Sequence, residues 1–189
     1  MIKIYIQKIE NFDKKEIENI KNTLSEEALA RLNKKRNEAL HLASLCALSL
    51  LSDEQRADLS YTKNGAPFFN NLDQDISISH SQNYTAVAIS TSKNEKIGVD
   101  IEESSSVTPS TRFFTENEKQ TVTNTLKFLE IWTKKEALFK FLKNDPTPFI
   151  KLDSTTPEKY GASFSTVKIN DCVITICKEK PAQIEIIQK

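Results

Sequence analysis

The chain has 189 residues, 38% apolar and 28% charged, ordinary for a soluble globular protein and enough for one large domain or two small halves sharing a core. Lysine plus arginine and aspartate plus glutamate number 26 each, so the net charge is zero and no global field favours nucleic acid or an anionic membrane. With 3 glycines, there is no glycine-rich phosphate loop of the P-loop or dinucleotide-binding kind.

In chain order, IKIYIQKI (2–9) alternates as a strand. Its start lacks the basic segment, apolar stretch and small-residue cleavage site of a signal peptide. Residues 13–55 read as helix throughout, with one break near Ser25. Within them Leu29, Leu32, Ala39, Leu40, Ala43 and Ala47 recur at near-helical spacing. The apolar run LHLASLCALSLL is too short to span a bilayer. Cys46, Cys172 and Cys177 are odd in number and form no C-x-x-C pair, so they read as buried thiols in a reducing compartment. The expectation is a cytoplasmic protein.

Residues 60–75 hold turn residues around Asn64-Gly65 and read as a short hairpin or loop. ISISHS (76–81) and YTAVAIST (84–91) are strand-like, joined by Gln82-Asn83, and KIGVDIEE (96–103) follows as a third strand. SSSVTPST (104–111) is a Ser/Thr-rich loop and the best candidate for mobility. Residues 115–144 return to helix, with Thr115 and Glu118 spaced as a capping box. Strands are expected again at 161–169, 172–179 and 182–189. This order suggests two similarly built halves, 1–95 and 96–189.

Two features point toward chemistry. Asp100 and Glu102 project from one face of their strand, and Val99 and Ile101 from the other. Two carboxylates so close raise each other's pKa unless a cation lies between them. The strand is therefore either half-buried with a solvated acidic face or one wall of a divalent-metal site. In EIWTKKEALFKFL, the helical period gathers Phe128, Ile131, Trp132, Leu138, Phe139 and Leu142 on one face. Trp132, Glu136 and Lys140 form a row at its edge, with Glu136 and Lys140 readable as a surface ion pair. Lys135 falls near the centre of the apolar face, explained by snorkelling or by an anionic ligand. Glu136 is the natural third carboxylate for Asp100 and Glu102, a set that suits magnesium with phosphate oxygens. His80 ends a strand beside Ser79, as a structural or a functional histidine.

The ordered segments SISHSQNYTAVAIS, IGVDIEE, RFFTENE and WTKKEALFK resemble the signature of 4′-phosphopantetheinyl transferases of the surfactin-synthetase-activating type. The resemblance implies an α+β pseudo-dimer of two similar α/β halves, each a small, mostly antiparallel sheet packed on a helix. The halves are 1–95, contributing to coenzyme A binding, and 96–189, holding the metal cluster and catalytic helix. It implies transfer of phosphopantetheine from coenzyme A to a serine of an acyl or peptidyl carrier protein, releasing adenosine 3′,5′-bisphosphate. Asp100, Glu102 and Glu136 would bind magnesium; Glu136 and Lys140 would be catalytic. Ser79, His80 and Lys140 would meet coenzyme A phosphates, with Glu118 near the site. Three departures stand out. Gly65-Ala66-Pro67 replaces a common G-K-P, Leu45 replaces a common arginine, and NDPTPF follows the catalytic helix in place of a glycine-rich stretch. Lys63, and Arg31 and Lys35 within the cluster Arg31, Lys34, Lys35 and Arg36, would then supply the phosphate charge. The competing readings are a non-catalytic relative that binds carrier protein or coenzyme A, and a magnesium phosphohydrolase.

Overall fold

A computed structural model describes residues 1–105, 110–143, 145–180 and 182–189. Residues 106–109 of the expected Ser/Thr-rich mobile loop, and Asn144 of the NDPTPF stretch, lie outside these residues. The architecture is mixed α+β, with two main sheets, each packed on helices. The first is ordered β4 (Ile76–His80), β5 (Tyr84–Ser90), β1 (Ile2–Lys8) and β9 (Ile184–Gln188). The second is ordered β6 (Ile97–Glu103), β8 (Cys172–Lys178) and β7 (Ser163–Ile169). β2 (Leu59–Tyr61) and β3 (Pro67–Phe69) form the small hairpin expected around Asn64-Gly65. β9 runs parallel to β1, so the C-terminal strand completes the first sheet. A division at residue 95 therefore separates β9 from the sheet it joins.

The segment 13–55 is not one helix broken once. It forms α1 (Lys14–Thr23), α2 (Glu26–Asn33) and α3 (Glu38–Ser49), followed by α4 (Asp53–Asp58). The break at Ser25 is where it was expected. The other breaks follow from Asn37, which caps α3, and from a capping box of Ser52 with Gln55. Likewise 115–144 divides into α5 (Glu116–Thr121), started by the Thr115–Glu118 capping box, and α6 (Thr125–Leu142), capped by Asn124. Leu32, Ala43 and Ala47 are buried as the period required, but Ala39 and Leu40 are exposed in the first turn of α3. Among the described residues no helix is long and apolar enough to cross a membrane.

Alternation along the strands builds the layers. Val87 and Ile89 face the helices, joining Leu32, Leu45 and Leu48 in one core cluster. Ile2, Ile4, Ile6, Ala86 and Ala88 face the second sheet, against Val99, Ile101, Ile174 and Ile176. The opposite face of the second sheet receives α6. All three cysteines are buried and unpaired, as expected, and burial raises each thiol's pKa, Cys172 to about 12.

The helix approaches closely because residue 98 has no side chain. A Cβ on Gly98 would lie 2.0 Å from the Ala137 carbonyl oxygen and 2.6 Å from the Phe141 nitrogen, both backbone atoms that cannot rotate away. Gly98→Ala should therefore push α6 off β6 and cost at least about 1–3 kcal/mol. The check is urea unfolding: the midpoint should fall with little change in slope, and an unchanged midpoint would contradict the contact.

Candidate active site

Of the residues singled out from the sequence, Ser79, Asp100, Glu102, Glu136 and Lys140 meet where β4, β6 and α6 come together. Asp100 and Glu102 do share a face of β6, but that face is covered by α6 and is not a solvated acidic surface. Asp100 is 3% exposed. Its Oδ1 accepts hydrogen bonds from Ser79 Oγ and Lys140 Nζ, each at 2.7 Å, and Lys140 also donates to Ser79 Oγ at 2.8 Å. Lys140 thus forms its ion pair with Asp100, and not the surface pair with Glu136. One helical row, Trp132, Glu136 and Lys140, lies along one strand row. Trp132 Nε1 donates to Glu102 Oε1 at 3.1 Å at one end, and Lys140 meets Asp100 at the other.

Glu136 lies between those ends, half-buried like Glu102. Burial first, and the Asp100 charge second, push both glutamates up to about 7. Asp100 Oδ2 is buried without a hydrogen-bond partner. Among the described residues, no three His, Cys, Asp or Glu side chains form a preassembled metal cluster. Even so, an orphaned carboxylate oxygen flanked by two glutamates that resist ionisation fits a divalent cation. The cation would satisfy the oxygen and relieve the repulsion.

His80 ends β4 beside this group, exposed on one side. Partial desolvation, then the charges of Lys35 and Lys140, hold its pKa below the ordinary imidazole value, so it is neutral near pH 7. With Arg31, Lys35 and Tyr61 it lines a pocket of about 180 Å³ between α2, α3 and the β2–β3 hairpin. The Arg31 guanidinium lies over the Tyr61 ring at 4.5 Å and donates to the Gly65 carbonyl at 3.4 Å. Lys63 is exposed and lines neither this pocket nor its neighbour, as the hairpin turn carries it outward. Lys34 and Arg36 are exposed too, and Leu45 faces the core.

Two expectations around α6, for Lys135 and Phe139, need correction. Lys135 neither snorkels nor awaits a ligand: it is fully buried, pairs with Glu118 Oε2 at 2.7 Å, and donates to the Leu152 carbonyl. Glu118 is equally buried and accepts from Thr115 N, Ser154 N and Ser154 Oγ as well, so its oxygens are engaged in structure. Phe139 leaves the apolar face and is 45% exposed, edge-on to Phe149. One residue escaped the sequence reading. Glu103, on the apolar side of β6, is buried and accepts from Ser81 Oγ, Asn83 N and Asn83 Nδ2, tying the β4–β5 turn to β6. These hydrogen bonds overcome burial and hold its pKa down.

Residues 96–179 match the family model described as 4′-phosphopantetheinyl transferase superfamily. No curated protein matches the chain. The matched region spans under half of the chain and contains Asp100, Glu102, Glu136 and Lys140, while Ser79, His80, Arg31 and Lys35 precede it. The match supports phosphopantetheine transfer in general.

Two outcomes follow. Lys135→Met should destabilise the fold by about 3–5 kcal/mol, because it strands Glu118 as a buried charge. Lys135→Met with Glu118→Gln should recover part of that loss, as read from denaturant midpoints. The second concerns pH. Unfolded glutamates titrate near about 4.3, below the folded values of about 7. Below the unfolded value both states are protonated and there is no penalty. As pH rises toward 7 the unfolded chain releases its protons first, so the native state loses stability, and above 7 the penalty is complete. In chelator, the melting temperature should therefore fall more steeply from pH 5 to 7.5 than in the Glu102→Gln, Glu136→Gln variant.

Proposed function

We propose that this protein transfers the 4′-phosphopantetheine group of coenzyme A to a serine hydroxyl of an apo acyl or peptidyl carrier protein, in the manner of the surfactin-synthetase-activating type. The observation behind this reading is the buried, orphaned Asp100 Oδ2, set beside Glu102, Glu136 and Lys140 inside the matched region. Asp100, Glu102 and Glu136 would hold magnesium, which when bound supplies Lewis-acid neutralisation of the diphosphate.

The chain's own residues divide the remaining work. Arg31 and Lys35 bring positive charge to the first pocket, where Tyr61 offers a flat apolar wall, an environment for the nucleotide and its 3′-phosphate. Neutral His80 can donate a hydrogen bond to a phosphate oxygen. The serine oxygen bonds to the β-phosphorus as that phosphorus breaks from the bridging oxygen, and adenosine 3′,5′-bisphosphate leaves. The serine proton passes to Glu136, directly or through a water, with the carboxylate set at the edge of the cluster facing the carrier serine's approach. Lys140 supplies positive charge to the developing phosphate oxygens. Lys63, outside both pockets, has no part in this scheme, and the engagement of Glu118 leaves Glu136 as the base. Three buried free thiols accord with work in the reducing cytoplasm.

The second reading, a non-catalytic relative that binds coenzyme A or carrier protein, draws on Ala66 and Leu45, which stand where the resembled family commonly has a lysine and an arginine. Mass spectrometry of an apo carrier protein incubated with coenzyme A, magnesium and the protein distinguishes the two. Transfer adds one phosphopantetheine to the carrier serine, whereas a binding protein leaves the mass unchanged. Glu136→Gln should lower kcat by about 10²–10⁴-fold. Saturating magnesium should restore metal binding but not proton transfer. Complete recovery of kcat across a magnesium titration would make Glu136 a ligand and not the base.

A further inference from the structure

The core between the two sheets is filled in rows, and at one end the rows turn polar. On β1 the residues facing the second sheet are Ile2, Ile4 and Ile6, and alternation makes Lys8 the next. On β9, Ile184 and Ile186 are followed in the same way by Gln188. Polar side chains thus stand where two more aliphatic ones would close the layer. A cavity of about 100 Å³ remains there, walled by Ile6, Ile169 and Ile174 and rimmed by Lys8, Tyr84 and Gln188. It shares no residue with either pocket near the acidic cluster.

Lys8 and Tyr84 are direct partners in the β1–β5 register, so their side chains stand side by side on one face. Among the described residues, neither the ammonium nor the phenol hydroxyl has a hydrogen-bond or ion-pair partner. The other lysine at the rim, Lys189, holds its ammonium 5.6 Å from the Tyr5 ring, on the opposite face of the sheet. Of the two carboxylates at this end, Glu103 is engaged by Ser81 and Asn83, and Asp171 lies outside the cavity wall. A cation and a hydroxyl donor, adjacent and unspent above an aliphatic floor, favour an anion with an apolar tail. That tail is short. The cavity equals about three waters' share of liquid volume, room for about four carbon atoms.

We infer that this cavity binds short aliphatic carboxylates of about five or six carbons, the tail between the sheets and the carboxylate on Lys8 Nζ and Tyr84 Oη. The inference does not depend on the proposed function. Ile6 belongs to the first sheet, and Ile169 and Ile174 to the second. A guest there touches both sheets and stabilises their docking by mass action.

Isoleucine methyl spectra of the whole protein, titrated with sodium hexanoate, test this. Ile6, Ile169 and Ile174 should shift and saturate together. Ile78, which lines both other pockets, and Ile131 on α6 should stay in place. From propanoate to hexanoate, affinity should rise about fourfold per added carbon, the effect of burying one CH₂. Beyond hexanoate it should level off, because the cavity is full. Lys8→Gln removes the charge from an exposed position, and Tyr84→Phe removes only the hydroxyl. Each should weaken hexanoate several-fold. The neutral 1-hexanol should bind more weakly than hexanoate and ignore Lys8→Gln. Saturable shifts at Ile78 in place of the cavity methyls would put the acid in another pocket and overturn the inference. So would shifts that never saturate, affinity indifferent to tail length, hexanol binding as tightly as hexanoate, or undiminished hexanoate binding by either variant.

Discussion

β6 is an edge strand of its sheet: β8 pairs with one side, and the other side would be left with open backbone donors. Side chains of the first sheet close that edge. Ile97 N donates to Asp75 Oδ2 and Val99 N to Ser77 Oγ, each at 3.0 Å, and Ser79 Oγ donates to Asp100. Glu103 secures the far end through Ser81 and Asn83. Asp75, Ser77 and Ser79 are alternate residues and so share one face, the period of a strand converted into a row of side-chain rungs. Buried donors without partners cost about 1–3 kcal/mol each, which makes this seam a strong determinant of how the sheets meet. Its third rung is the site carboxylate itself. The contact that joins the sheets therefore also positions Asp100.

The electrostatics follow from that placement. Asp100 is held at the seam by Lys140 and Ser79, and its charge falls on Glu102 and Glu136 across the gap that Gly98 permits. The glutamates share that single lysine, and their affinity for protons rises until they titrate near neutrality. Trp132 counteracts this for Glu102 by donating to it. Such a group stores repulsion that either protons or a small divalent cation can relieve. Under the proposed function, the hard carboxylate oxygens of Asp100, Glu102 and Glu136 would suit magnesium.

Much of this was legible in the sequence because it depends on local period. Alternation in GVDIE put Asp100 and Glu102 on one face, and the four-residue step put Trp132, Glu136 and Lys140 in one row. What period cannot supply is the identity of the covering element. Glu103 sits at an apolar register and its partners are about twenty residues upstream, so nothing near it in the chain announced the seam. Lys135 was legible as anomalous but not as paired, since Glu118 lies on another helix, 17 residues away. The extra helix breaks were marked by Asn37, Ser52 and Asn124, cap residues whose signal was weaker than the apolar run around them. Phe139 obeyed the helical period on paper, but near the end of α6 it meets only the edge of Phe149 among the described rings and stays 45% exposed.

The same seam couples fold to ligand. Of the groups proposed to meet coenzyme A, Arg31, Lys35, Ser79 and His80 come from the part of the chain before residue 96, and Lys140 and the acids from the part after it. Under the proposed function, one molecule bound across both pockets bridges both sheets and binds only when they are docked. A ligand that recognises only the native arrangement stabilises it by mass action, increasingly as its concentration exceeds the dissociation constant. Under the proposed function, contacts distributed over the groove depend on Asp75, Ser77 and Ser79 keeping β4 against β6. Under that function, binding strength would be tied to the docking of the sheets as well as to single phosphate contacts.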